Sequence, residues 1–237
     1  MPLARRLEWP ECWNTRDLGG LPRPGGVTRS HVLIRSDSLV HLNEAGRDAM
    51  AGYGVKTVLD LRSNGETFNS PSPFAAGDGV RYVHRELIDD ANMTNIGDPQ
   101  SMLDRYLFIV DKRPHAFRDI FEVIAQTDGT VLFHCFAGKD RTGLIAAMLL
   151  SLAGVAPEHI AADYAETDLQ LAPQYETWIA EAPADKRQAF IDELRCPPER
   201  ILGVLEHFDR RWGGVHSYLE AAGMSPAAIE QISSRLA

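Results

Sequence analysis

Cysteine is scarce in this chain: Cys12, Cys135 and Cys196 are the 3 present in 237 residues. An odd count that small argues against a disulfide framework and fits a reducing compartment, where thiols stay free. The N-terminal MPLARRLEWPECW has no apolar core of the kind a secretory signal carries. The expected location is therefore the cytoplasm, with export lacking a recognisable signal as the alternative. Long apolar runs are missing too. The longest, Leu144–Leu150, falls far short of the roughly 20 residues that span a bilayer, so no integral membrane segment is expected. Positive charge is in deficit, with 24 Lys and Arg against 33 Asp and Glu for a formal net charge of -9. That balance argues against nucleic acid as a partner. An acidic chain still captures anions where a local pocket is basic, because the near field decides. Gly/Ser linkers and internal repeats do not occur, which favours one domain over residues 1–237. Neither an HExxH run nor a His/Asp cluster at ligand spacing occurs, so no metal and no other cofactor is expected.

What the chain does contain is His134–Gly143, HCFAGKDRTG. It follows the apolar run Thr130–Phe133 and leads into a second, Leu144–Ala153, so a short buried strand delivers a loop whose far end opens a helix. Such a loop aims successive backbone N–H groups at one spot, with the positive end of the helix dipole behind it. Five residues separate Cys135 from Arg141, enough for the loop to curl until the guanidinium faces the sulfur across a bound oxyanion. Arginine suits that place because its planar fork holds two phosphate oxygens and keeps its charge. A cysteine beside that arginine and a helix N-terminus is expected to ionise readily, and the thiolate is the nucleophile. Phe136, Ala137, Gly138, Lys139, Asp140 and Arg141 are the expected phosphate-binding residues, Gly138 permitting the tight turn and Lys139 adding a second cation. The Gly138-Lys139 pair does not make a nucleotide-binding loop, since Asp140 stands where that pattern needs Ser or Thr.

HCFAGKDRTG resembles the HCxxGxxR[ST] signature of cysteine-dependent protein tyrosine phosphatases, in the GKDRTG form of a bacterial and fungal branch. Asn14–Gly20 resembles that branch's N-x-R-D-[LI]-G-G element, His31–Leu39 its arginine-containing strand end, and Val58–Arg62 its D-L-R strand. The resemblance implies a phosphate monoester hydrolase acting through a phosphocysteine, on phosphotyrosine protein or, as the alternative, on phosphoinositide or as a dual-specificity enzyme. It implies that the Arg16-Asp17 pair supports the loop from behind, that Thr142 hydrogen-bonds Cys135 and eases its departure, and that Asp140 gives and takes the proton. Asp140 also stands where an aspartate caps a helix. Asp60 is the next candidate acid, followed by Asp89 or Asp90. His134 is expected to order the loop, and Arg62 lies with Asp60 at a strand's C-terminal edge, where ligands gather in open sheets. A rhodanese-like sulfurtransferase and a non-catalytic phosphate-binding protein are the rivals. The first has less need of the arginine, and the second none of an intact nucleophile.

Apolar periodicity predicts an α/β fold with a central, mostly parallel sheet of about four to five strands, flanked by helices and followed by a helical C-terminal third. Strands are expected at 32–34, 55–61, 80–87 and 130–133, and Asn43 is expected to cap a helix running to about Tyr53. Further helices are expected near 101–110, 115–125, 142–153, 158–171, 174–180, 184–194, 198–212, 215–222 and 226–236. Residues 89–99 read as a loop near the active edge, and Trp9 and Trp13 as parts of an arm packed on the core. Thr167–Arg195 is the candidate helical lid, against plain scaffold helices as the alternative.

Overall fold

Thr130–His134 is buried at every position and forms the middle strand of the sheet, as its unbroken apolar run requires. The computed structural model describes residues 5–77, 79–89 and 101–237. Its strands are β1 (Arg16–Asp17), β2 (Pro22–Arg23), β3 (Gly26–Val27), β4 (Leu33–Ser36), β5 (Val55–Asp60), β6 (Arg81–His84) and β7 (Thr130–His134). Five of them make one sheet in the order β1-β4-β7-β5-β6; β1 pairs antiparallel with β4 and the other neighbours are parallel. β2 and β3 form a separate hairpin.

Register decides what lies at the sheet's C-terminal edge. Ser36 pairs with His134 on one side and Asp60 pairs with it on the other. Three strand ends therefore finish in one row, and the cysteine loop leaves from the middle of that row. Along the same strands side chains alternate between two cores. Leu33, Leu59, Val131 and Phe133 face the larger one, and Ile34, Val58 and Leu132 the smaller one with Trp9, Leu39, Met50 and Phe74.

Among the described residues there are eleven helices: α1 (Glu44–Gly52), α2 (Asn64–Asn69), α3 (Met102–Lys112), α4 (Pro114–Ala125), α5 (Asp140–Leu152), α6 (Pro157–Gln170), α7 (Ala172–Glu181), α8 (Arg187–Leu194), α9 (Pro198–Trp212), α10 (Val215–Ala221) and α11 (Pro226–Leu236). Asn43 caps α1 as expected, its side chain accepting from Gly46 N at 3.0 Å. α5 is buried from Thr142 to Leu150, which is why it is apolar on every side. It lies against the sheet, with α6, α9, α10 and α11 packed around it in the larger core.

The expected elements are present, with shifted ends. α7 starts two residues before the expected 174 because Pro173 fits the first turn, where its missing N–H costs nothing. The strand expected over 80–87 is limited to β6, paired only along β5. α2 is a six-residue helix where no helix was expected, held by a capping box in which Ser63 and Glu66 satisfy each other's backbone N–H groups. Residues 90–99 of the expected loop lie outside the described residues, and Asp90 with them. No helix among the described residues is long and apolar enough to cross a membrane.

Candidate active site

The loop 135–139 is held from outside by its carbonyls. Phe136 O accepts from Ser38 N at 2.8 Å, Ala137 O from Asn14 Nδ2 at 3.0 Å, and Gly138 O from Arg35 Nη2 at 2.8 Å. In a trans peptide the N–H points opposite the C=O, so amides following these carbonyls turn toward the loop's interior. Gly138 has φ +66°, and a Cβ there would sit 2.6 Å from Ser36 O, so the turn admits glycine alone. The loop ends at Lys139, the first flanking residue of α5, whose dipole adds partial positive charge at the same place.

Cys135 is 2% exposed, at the mouth of β7. Arg141, in the first turn of α5, makes a two-bond fork with Glu66: Nη2 donates to Oε1 at 2.8 Å and Nη1 donates to Oε2. Burial opposes the Glu66 charge, but the hydrogen bonds from Arg141 outweigh it and hold that carboxyl below its ordinary pKa. Glu66 Oε2 also accepts from Ser63 N at 2.8 Å, so one carboxylate closes α2 and orients the arginine. Its Nε edge is left over by this arrangement.

Beneath the loop His134 Nδ1 lies 3.0 Å from Cys135 O, and Nε2 lies 3.7 Å from Asp60 Oδ2. Burial keeps the imidazole pKa below its ordinary 6.5 despite that carboxylate. Asp60 is fully buried and tied by two oxygens to the Arg62 guanidinium, with Tyr82 OH donating at 2.9 Å. Burial raises its pKa, yet His134 and Arg62 outweigh that and bring it to about 2. Asp60 is thus held in place by Arg62 and Tyr82 at the end of its strand. Asp89 is bound to Arg113 at 2.7 Å. Thr142 Oγ1 is buried with no hydrogen-bond partner among the described residues, so the expected bond to Cys135 is not made.

Asp140 is on the loop side of α5 and about one-third exposed. It is the first residue of α5, after the flanking Lys139. Its Oδ1 accepts from the buried Tyr106 hydroxyl, which in turn lies 2.8 Å from Tyr164 OH. Lys139 departs from expectation. Its ammonium turns away to donate to Glu193 O at 2.6 Å and Leu194 O at 3.4 Å, the last carbonyls of α8. Phe136 is 59% exposed and stacks on Trp178, with ring centroids 6.1 Å apart. Ala137 packs in a small cluster with Leu171, Tyr175, Trp178, Phe190 and Leu194, so α7 and α8 sit directly against the loop. On one side of Phe136 and Trp178 lies a cavity of about 470 Å³ bordered by Trp13, Arg62 and Glu66. On the other is one of about 570 Å³ bordered by Asp140, Lys139 and Phe190.

Arg16 and Asp17 turn to different partners. Asp17 accepts from Gly19 N, His31 N and Tyr53 OH. Arg16 donates to Asp163 and Asn14, and so backs the loop along two routes, through Asn14 to Ala137 O and through Asp163 and Arg35 to Gly138 O. Trp9 packs on the core as expected, but Trp13 is 37% exposed at the cavity mouth. Sequence reasoning gave no role to Glu66, Asp163, Tyr106 or Tyr164. They come from helices remote in sequence, and nothing in local spacing marks them. Arg35 stood inside the matched His31–Leu39 stretch, but its contact with Gly138 O needed the fold.

The sequence profile of the tyrosine phosphatase family matches residues 7–237. The chain belongs to that family. A tyrosine-protein phosphatase of Nostoc commune is 33% identical over 217 residues, covering 86% of this chain and 74% of its own. The triple specificity protein phosphatase PtpB of Mycobacterium tuberculosis is 26% identical over 280 residues, covering 95% of this chain and 96% of its own. The crystal structure of P. aeruginosa TpbA covers 68% of this chain at 17% identity and a TM-score of 0.33, a likeness too slight to argue from. The loop bearing Cys135 lies within the matched residues, and burial pushes the thiols of Cys12 and Cys196 up to about 12.

Proposed function

We propose that this phosphatase hydrolyses phosphotyrosine in proteins by way of a phosphocysteine on Cys135. The Sγ–P bond forms as the ester P–O bond breaks, and Asp140 gives its proton to the departing phenol oxygen. Arg141, through its Nε edge, and the loop amides hold the equatorial oxygens as charge spreads over them. Water then attacks phosphorus, its proton passes to Asp140, and the sulfur leaves as thiolate. Thr142, whose buried hydroxyl makes no bond in the resting site, turns to donate to that thiolate as it leaves. His134, Arg16 and Arg62 act through the loop and strand ends, not on substrate. The observation that carries this reading is the run of three loop carbonyls bound from outside, which commits the amides to an inward oxyanion cradle containing both Cys135 and Arg141.

Phosphotyrosine ranks ahead of phosphoinositide because the Lys139 ammonium, the second cation that a polyanionic inositol ring would use, is engaged by carbonyls of α8. The α7–α8 pair is assigned as a cover, since it packs on the loop through Ala137 and Phe136. The thiolate chemistry fits a reducing cytoplasm. The test is aryl phosphate hydrolysis in EDTA by wild type, Cys135→Ser and Asp140→Ala. Cys135→Ser is expected to lose all turnover, and persisting activity in it would remove the covalent mechanism. Comparing a phosphotyrosine peptide with inositol phosphates ranks the substrates.

A further inference from the structure

Asp140 is joined to a line of buried donors that the reaction itself does not explain. Tyr106, on α3, is 0% exposed; Tyr164, on α6, is 1% exposed. Tyr106 OH donates to Asp140 Oδ1, Tyr106 OH and Tyr164 OH are 2.8 Å apart, and Arg200 Nη1, on α9, donates to Tyr164 OH at 3.4 Å. The direction of the central bond follows from its ends. A guanidinium only donates and a carboxylate only accepts, so with Tyr106 spending its one proton on Asp140, Tyr164 must donate to Tyr106. Every proton in the line points the same way, from cation to carboxylate. The packing makes room for this. A Cβ on Gly143, in the first turn of α5, would sit 3.1 Å from the Tyr164 ring, tighter than ordinary contact, so glycine there leaves Tyr164 room.

We infer that Arg200, Tyr164 and Tyr106 form a one-way hydrogen-bond chain that positions Asp140, holding Oδ1 so that Oδ2 alone carries the transferred proton. Tyr106 and Tyr164 are positioning residues and remain protonated throughout. The proton that reaches the leaving oxygen comes from Asp140 Oδ2, and the same oxygen receives one from water in the second step. Burial, reinforced by Asp140, keeps the Tyr106 hydroxyl well above its ordinary pKa, in keeping with a donor that never ionises. Asp140 is faced as well by Lys139, 3.5 Å from Oδ1, by the Arg141 guanidinium, and electrostatically by Tyr175 and Cys196. These remain in a tyrosine variant, so the difference from wild type isolates the chain.

The inference rests on Asp140 being the acid, and its test separates the two. kcat/KM is measured across pH for aryl phosphates whose phenols range from strongly to weakly acidic, with wild type, Tyr106→Phe, Tyr164→Phe and Asp140→Asn. Tyr218→Phe is the control, since Tyr218 OH donates to Val110 O on the same helix as Tyr106, away from Asp140. Tyr106→Phe is expected to lose on the order of tenfold on weakly acidic phenols, which need the proton, and about twofold or less on strongly acidic ones. Tyr164→Phe changes both in the same sense and less, and Tyr218→Phe changes neither. A uniform loss across all phenols in Tyr106→Phe, matched by Tyr218→Phe, overturns the inference and leaves a packing role. If Asp140→Asn depends on the leaving group while Tyr106→Phe matches wild type, the acid stands and the chain falls. If Asp140→Asn matches wild type on every phenol, both fall.

Discussion

Substituting alanine for Gly138 places a methyl group 2.6 Å from Ser36 O and 2.7 Å from Asp37 N, at a φ of +66° that side chains avoid. Both partners are backbone, so neither yields. The expected result is a destabilisation on the order of 1–3 kcal/mol in urea unfolding and a larger loss of aryl phosphatase activity, because the cradle amides shift. Retained wild-type kcat/KM in Gly138→Ala would show that the cradle does not depend on this turn. Glu66 permits a gentler test. Glu66→Gln keeps the capping box of α2 but removes the charge that orients Arg141. KM for an aryl phosphate should rise several-fold with the melting temperature little changed. Cysteine chemistry is equally local. Alkylation by iodoacetate should follow Cys135 alone, since burial keeps the Cys12 and Cys196 thiols protonated at neutral pH.

At the level of elements, the loop and α8 are coupled by one lysine. The Lys139 ammonium holds the last two carbonyls of α8, a charge-assisted contact worth about 1.5–3 kcal/mol. Lys139→Met keeps most of the buried stem and removes only those bonds. Amide exchange measured by mass spectrometry should then quicken over 187–194 and stay unchanged in α5 and β7. Uniform protection across α8 in the variant would count against Lys139 as its anchor. The α7–α8 pair depends on few contacts besides these. Its apolar cluster is small and separate from the main core. By contrast α5 is buried along its length and cannot move without the sheet.

For the molecule as a whole, buried charge sets the acid response. Asp163 takes Arg5, Arg16 and Arg35 at once, joining the N-terminal segment, the strand bearing Arg35 and α6. Burial opposes its ionisation, and the three guanidiniums outweigh that and hold its pKa well below the carboxylate range. Groups depressed on folding lose their stabilising contribution as pH falls. His134 begins this below its ordinary 6.5, because the unfolded chain gains a proton there that the folded chain refuses. Asp60 and Asp163 continue it below their ordinary 3.8, Asp60 until about 2. Urea unfolding against pH should therefore show a shallow decline below 6.5 and a steep one below about 4. Asp163→Asn should lower the neutral plateau by about 3–5 kcal/mol, through stranded cations, and flatten the steep limb. A limb of unchanged slope would remove Asp163 as its source. Composition and local pattern were enough to specify much of this protein. Contiguous spacing in HCFAGKDRTG revealed the loop with its cysteine and arginine, and apolar periodicity revealed most strands and helices, because these properties reside in neighbours along the chain. Only the fold decided that Lys139 reaches α8, that Glu66 and Tyr106 meet the first turn of α5, and that Asp163 holds the arginine bound to Gly138 O. Those contacts join residues from separate strands and helices, and which side chains share a buried dielectric is a property of packing that no local window contains.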